Sequence, residues 1–121
     1  MSTRVLVADD SNTMRKIIIR NLQAVGVPSA VEVADGNEAV QTFIPGHFDL
    51  VLTDWNMPGK SGLDVIKEIR AKDANVPIIM ITTEAEKSRV LQAIEAGVSD
   101  YLVKPFTPDT LREKLEKHGC N

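Results

Sequence analysis

The 121-residue chain holds a single cysteine, Cys120, so no disulfide can close within it. It has no apolar run near the ~20 residues that a membrane-spanning helix needs. Lys and Arg form no basic block, and the formal net charge is −3, which argues against gripping a nucleic-acid backbone directly. Met1-Ser2-Thr3-Arg4 runs straight into a strand pattern, without the long apolar region and cleavage site of a secretory leader. A cytoplasmic location is the resulting expectation. No repeat, low-complexity stretch or linker divides the chain. What is present is ordinary for a soluble globular protein: 43% hydrophobic and 26% charged residues, in a length that suits one domain over 1–121.

Short apolar runs alternate with longer amphipathic segments. The runs are Val5-Leu6-Val7-Ala8, Ala30-Val31-Glu32-Val33, Leu50-Val51-Leu52, Ile78-Ile79-Met80-Ile81 and Tyr101-Leu102-Val103. Three of them are continuously apolar, as parallel strands covered on both faces should be. Between them, Met14, Ile18, Leu22 and Val25 fall on one helical face before Gly26. Asp35 and Glu38 have the spacing of an N-cap and its partner ahead of Ala39, Val40 and Phe43. Leu63, Ile66 and Ile69 form a third stripe, and Val90, Leu91 and Ile94 a fourth, closed by Gly97. Thr107-Pro108 suits a cap and first position for a last helix bearing Leu111 and Leu115. A regular (βα)5 alternation predicts an α/β fold with a parallel sheet, but leaves strand order open. Ligands of such sheets sit at the carboxyl ends of the strands, where the order reverses.

Those ends are polar. The first strand stops at Asp9-Asp10, the third at Asp54, the fourth at Thr82-Thr83 and the fifth at Lys104-Pro105. Singly, each has a common structural explanation: an Asp pair caps a helix, a Thr suits a strand, a Lys is solvated. Jointly they place three carboxylates, a hydroxyl and an ammonium at one edge. Crowded carboxylates repel unless a proton or a cation intervenes. Mg2+ takes oxygen ligands and leaves positions for a phosphate oxygen. Lys104 and Thr82 can hold the other phosphoryl oxygens, and Asp54 then becomes the covalent phosphoryl acceptor.

Over essentially its whole length the chain resembles a response-regulator receiver domain. Asp9-Asp10, Asp54, Thr82 and Lys104-Pro105-Phe106 carry the likeness, with Asp54-Trp55-Asn56-Met57-Pro58, Gly62 and Ala96-Gly97 adding to it. Trp55-Asn56-Met57-Pro58 and Lys104-Pro105-Phe106-Thr107 are most similar to the single-domain chemotaxis regulators of the CheY type. The resemblance implies a doubly wound, flavodoxin-like five-stranded sheet of order 2-1-3-4-5, the order known for those regulators. It implies one receiver domain with no effector domain, acting as a monomeric phosphoacceptor switch and not as a classical enzyme.

The family also implies roles. Asp54 takes a phosphoryl group from a phosphohistidine on a sensor histidine kinase. Mg2+ is bound by Asp10, Asp54 and the Asn56 carbonyl, with Asp9 acting through water. Thr82 and Lys104 contact the phosphoryl oxygens, and a cis Lys104-Pro105 bond turns the lysine inward. Thr82 and Tyr101 form the switch, which alters the face of helix four, strand five and helix five. Asn56 and Glu84 tune dephosphorylation. Implied partners are a chemotaxis-type kinase, a flagellar motor switch protein and a phosphatase. Ser11 departs from the bulky residue frequent after the acidic pair, and could cap the first helix. His47 and His118 read as ordinary surface residues, and Glu86, Lys87, Gln92, Glu95, Arg112 and Glu116 as outward groups open to partners.

Other readings compete. A phosphate sink or relay receiver would use the same site. An aspartyl-phosphate phosphohydrolase usually places its nucleophile after the first strand, with a second Asp two residues on; here Asp9 and Asp10 are adjacent. A flavin or nucleotide carrier is disfavoured because Asp9-Asp10-Ser11-Asn12-Thr13 offers no Gly-rich cradle. A phosphate-independent adaptor typically lacks a site residue, and all are present.

Overall fold

The structure, a computed structural model, describes residues 3–83 and 88–120. Five strands alternate with five helices: β1 (Val5–Ala8), α1 (Asn12–Ala24), β2 (Val31–Val33), α2 (Gly36–Thr42), β3 (Leu50–Asp54), α3 (Gly62–Lys72), β4 (Ile78–Thr83), α4 (Val90–Ala96), β5 (Asp100–Lys104) and α5 (Pro108–Lys117). All strand pairs are parallel, in the expected order β2-β1-β3-β4-β5.

The order explains the layers. The chain moves outward from β1 to β2, then reverses direction and crosses β1 to reach β3. Right-handed crossovers therefore put α1 on the opposite face from α2, α3 and α4. The two cores follow the strand period of two. Leu6, Ala8, Val51, Ile78 and Met80 face the side holding Phe43, Ile66, Ile69 and Ala93. Val5, Val7, Leu50, Leu52, Ile79 and Ile81 face Ile18, Leu22, Leu111 and Leu115. Both sides of the central strands are covered, which is why their sequences are apolar without alternation.

Local signals place the helices. Ser11 caps α1, its Oγ accepting from Met14 N at 3.1 Å. Asp35 caps α2 through Glu38 N at 2.7 Å, Ser61 caps α3, and Thr107 caps α5 with Pro108 following. Helix α4 ends at a left-handed glycine, Gly97 at φ 108°, whereas α2 and α3 end on extended residues, Phe43 and Asp73.

Two sequence expectations are corrected. Leu91 and Ile94 are 66% and 53% exposed, and α4 instead buries Val90 and Ala93. The bulky residues point out, and the close approach to the sheet is made by a methyl group. His118 is not an ordinary surface residue. Its Nε2 lies 3.0 Å from Asp100 Oδ2, and Lys114 and Lys117 pair with the same buried carboxylate at 2.9 and 3.3 Å. Burial pushes the Asp100 pKa up, but the His118 and Lys114 bonds, the Tyr101 N–H and the Lys114 charge outweigh it and hold the carboxyl well below its usual range. This cluster fastens the last turn of α5 to the start of β5.

Candidate functional site

The order of strands in the sheet reverses between β1 and β3, and their carboxyl ends carry the acidic groups. Asp9 follows Ala8 of β1 and is 1% exposed; its N–H donates to Val33 O at 3.2 Å. Its Oδ1 accepts the Ser11 N–H at 2.8 Å. Its Oδ2 is buried and has no hydrogen-bond partner among the described residues. Asp10, next in the chain, is exposed at the rim. Asp54 is the last residue of β3 and is 8% exposed. One oxygen from each of Asp9, Asp10 and Asp54 lies within 4.8 Å of the others.

Lys104, the last residue of β5, reaches across from the far side. Its Nζ is 3.5 Å from Asp54 Oδ1 and 3.7 Å from Asp9 Oδ2. The Lys104–Pro105 bond is cis, as the resemblance implies. One ammonium cannot neutralise three carboxylates. An unsatisfied buried oxygen facing two more acidic groups fits a hard divalent cation such as Mg2+, whose ligands are oxygens.

Asp54 shows the strain electrostatically. Burial raises its pKa to about 6; the Lys104 charge opposes that, the Asp9 charge adds to it, and the Trp55 N–H opposes it. The Trp55 N–H donates to Asp54 Oδ1 at 2.8 Å and fixes the carboxylate's orientation. Thr82 is 1% exposed at the end of β4, beside Val103 of β5, and among the described residues its hydroxyl makes one long contact, 3.4 Å to Thr83 O. Tyr101 is half-buried on β5, under the Lys114 ammonium at 5.4 Å from the ring centre. Asn56 is exposed; Glu84, Glu86 and Lys87 lie outside the described residues. Gln92, Glu95, Arg112 and Glu116 are exposed as expected.

Backbone packing under Asp54 is tight. Gly62 opens α3, and its N–H donates to Trp55 O at 2.8 Å. A Cβ there would collide with the Asp54 carbonyl oxygen and lie 3.0 Å from Trp55 Cα. Gly62→Ala is expected to lower stability by about 1–3 kcal/mol, the usual overpacking cost, despite alanine's better helix propensity. A urea unfolding midpoint equal to or above that of the parent would contradict this.

Two arginines at the site have no counterpart in the sequence reading. Arg89 precedes α4, lies 5.5 Å over the Trp55 ring and has Nη1 3.5 Å from Asn56 Oδ1. Arg15, one turn into α1, donates to Asp9 O at 2.6 Å. Neither belongs to a recognisable motif; their contacts depend on the fold. A groove of about 370 Å3 lies at the opposite end of the sheet against Val5, Pro28, Val31 and Phe48. Its one arginine, Arg4, is already paired with Asp49 at 3.4 Å, so the convergent chemistry is not there.

Comparison with known proteins agrees with this geometry. Residues 5–116 match the family model of the response regulator receiver domain. Chemotaxis protein CheY-3 of Vibrio cholerae is 45% identical over 116 residues, covering 94% of this chain and 89% of that one. Chemotaxis protein CheY of Pseudomonas aeruginosa is 41% identical, with 94% of each covered. Among solved structures, a receiver domain of a sensor histidine kinase from Pseudomonas aeruginosa PAO1 superposes with a TM-score of 0.87 at 30% identity, covering 98% and 99% of the two chains. That protein has a magnesium ion coordinated in its active site cleft.

Proposed function

The chain belongs to the response-regulator receiver family, and we propose that it is a chemotaxis switch that takes a phosphoryl group onto Asp54 in a Mg2+-dependent reaction. One observation carries the reading. Asp9, Asp10 and Asp54 converge at the reversal of strand order with a buried, unsatisfied Asp9 oxygen, and Lys104 bridges to the acceptor.

The chemistry follows from positions. An Asp54 carboxylate oxygen forms a bond to phosphorus as the bond from phosphorus to the donor histidine nitrogen breaks. The nitrogen leaves with the electron pair and the imidazole regains a proton from water. Asp9, Asp10, Asp54 and the Asn56 carbonyl are the groups that would hold Mg2+, which supplies positive charge against the transferring oxygens. The ammonium of Lys104 already lies beside Asp54 and can move onto a phosphoryl oxygen. The Thr82 hydroxyl, whose contact among the described residues is the long one to Thr83 O, has capacity for another. Transfer in this mode is governed by position and electrostatics, with little demand for further covalent chemistry.

The new charge then biases a two-state element. As Thr82 turns to the phosphoryl group, Tyr101 turns inward and the α4–β5–α5 face changes its partners. Asn56 and Glu84 tune the return by hydrolysis. The partners are a sensor histidine kinase of chemotaxis type, a flagellar motor switch protein and a phosphatase. The chain works as a monomeric single receiver domain in the cytoplasm; no described helix is long and apolar enough to cross a membrane.

Beryllofluoride-loaded and resting protein can be compared as bait for a purified kinase and motor switch protein. The loaded form is expected to retain the motor protein at least roughly tenfold better, a coupling of about 1.4 kcal/mol, within the range usual for such switches. Equal retention would overturn the switch reading and leave a phosphate sink or relay receiver.

A further inference from the structure

The Arg15 side chain is only 14% exposed, and its guanidinium has three different acceptors. Nη1 donates to the backbone oxygen of Asp9 at 2.6 Å, Nε to Glu32 Oε1 at 3.2 Å, and Nη2 to Asn12 Oδ1 at 3.2 Å. It thus ties the β1–α1 turn, helix α1 and edge strand β2 together. Its shortest bond is to the peptide that joins the two acidic residues.

We propose that Arg15 is a positioning residue for the Asp9–Asp10 pair, and that it sets the affinity of the site for a divalent cation. This rests on the Mg2+ reading of the site. The Asp9 side chain is fixed on one side by the Ser11 N–H, and its own N–H is held by Val33 O. The Asp9 carbonyl belongs to the next peptide, the one that joins Asp9 to Asp10, and Arg15 holds it. With that peptide fixed, the Asp9 and Asp10 carboxylates converge on Asp54. Released, the peptide can rotate, and Asp10, which is exposed, is the group free to swing away. An arginine suits this task because its planar fork reaches three acceptors at once, which a lysine ammonium on a flexible stem does less rigidly.

Two plainer roles make different forecasts. If Arg15 acts only by its charge, it repels a nearby cation, and removing it should tighten Mg2+ binding. If Arg15 acts only as a staple between α1 and β2, the Glu32 bond matters and the Asp9 bond does not. The sign of the change and the comparison with Glu32 therefore separate the three.

The test is a Mg2+ titration of the full chain, read by the fluorescence of Trp55, the sole tryptophan and the neighbour of Asp54. Arg15→Met is expected to weaken Mg2+ binding roughly tenfold, at the lower end of what losing a supporting partner costs a metal site. Arg15→Lys should lose about threefold, since one donor can still reach the carbonyl. Glu32→Gln should stay within about twofold of the parent, because the Asp9 bond survives. Urea unfolding of each variant reports folding separately, and Arg15→Lys keeps the test open if Arg15→Met does not fold. Unchanged or tighter binding in both Arg15 variants would overturn the inference, as would equal weakening by Glu32→Gln. A parent protein that shows no saturable response to Mg2+ would overturn the cation reading itself, and this inference with it.

Discussion

Asp54→Asn is expected to accept no phosphoryl group from either a phosphohistidine donor or a small acyl phosphate. An amide nitrogen or oxygen cannot replace the carboxylate oxygen as the nucleophile, and the two neighbouring carboxylates among the described residues are held differently. Asp9 is buried against β2, with Oδ1 bonded to Ser11 N, and Asp10 is at the rim. Incorporation should fall by at least about a thousandfold, as when a catalytic nucleophile is removed. Intact-mass measurement after incubation with Mg2+ and donor checks this. A phosphoryl adduct on the variant at the parent's rate would move the acceptor to another residue.

The same substitution should make the protein more stable. At neutral pH the folded chain holds an ionised Asp54 in a buried place beside a second carboxylate. Its pKa is pushed to about 6 from an ordinary 3.8. A carboxyl with a raised folded-state pKa binds more protons folded than unfolded between those values, so stability falls as pH rises through that window. Below pH ~4 the group is protonated in both states and costs nothing; above ~6 the full cost applies. The shift corresponds to about 3 kcal/mol at most, at 1.36 kcal/mol per pH unit. Asparagine keeps the shape and the acceptor for the Trp55 N–H but loses the Lys104 ion pair, so a net gain of about 1–3 kcal/mol is expected. That is a Tm higher by roughly 5–10 °C in a domain of this size. The gain should appear at pH 7.5 in the presence of a chelator and close to nothing at pH 4. Added Mg2+ should narrow it by stabilising the parent more than the variant, which lacks one of the cation's carboxylates. Thermal melts at the two pH values decide the matter; a variant less stable than the parent at pH 7.5 would show that the buried charge is not the burden described.

These two outcomes are linked. On the proposed reading, the strand end that suits Asp54 to accept a phosphoryl group also makes it expensive to fold. A site of this kind trades stability for an acceptor that is rigid, partly dehydrated and short of positive charge until a cation arrives.

Much of this was legible in the sequence because the loudest physical signals are local. The continuous apolar runs around Leu50–Leu52 and Ile78–Ile81 announced strands covered on both faces. Asp35, Thr107 and Pro108 announced helix starts, and each cap is made in the fold. The strand-terminal polar residues then had to share an edge once the strands were parallel. The failures came where the sequence is quiet. Helix α4 packs through Ala93, whose small side chain gives little periodic signal, while Leu91 and Ile94 are conspicuous and point outward. His118 finds its partner 18 residues away on β5, and Arg15 finds Glu32 17 residues away on β2. Such contacts depend on which strand becomes the neighbour and on helix rotation, and residue spacing encodes neither. The strand order itself came from resemblance, since the alternation of strands and helices is compatible with several orders.

The most direct test of the central claim is to trap the acyl phosphate chemically. Protein phosphorylated with Mg2+ and a small phosphodonor is reduced with borohydride, which converts an aspartyl phosphate to homoserine, and the product is mapped by peptide mass spectrometry. Homoserine should appear at position 54, only when both donor and Mg2+ were present. Homoserine at position 9 or 10, or none despite phosphoryl incorporation, would contradict the assignment of Asp54 as the acceptor.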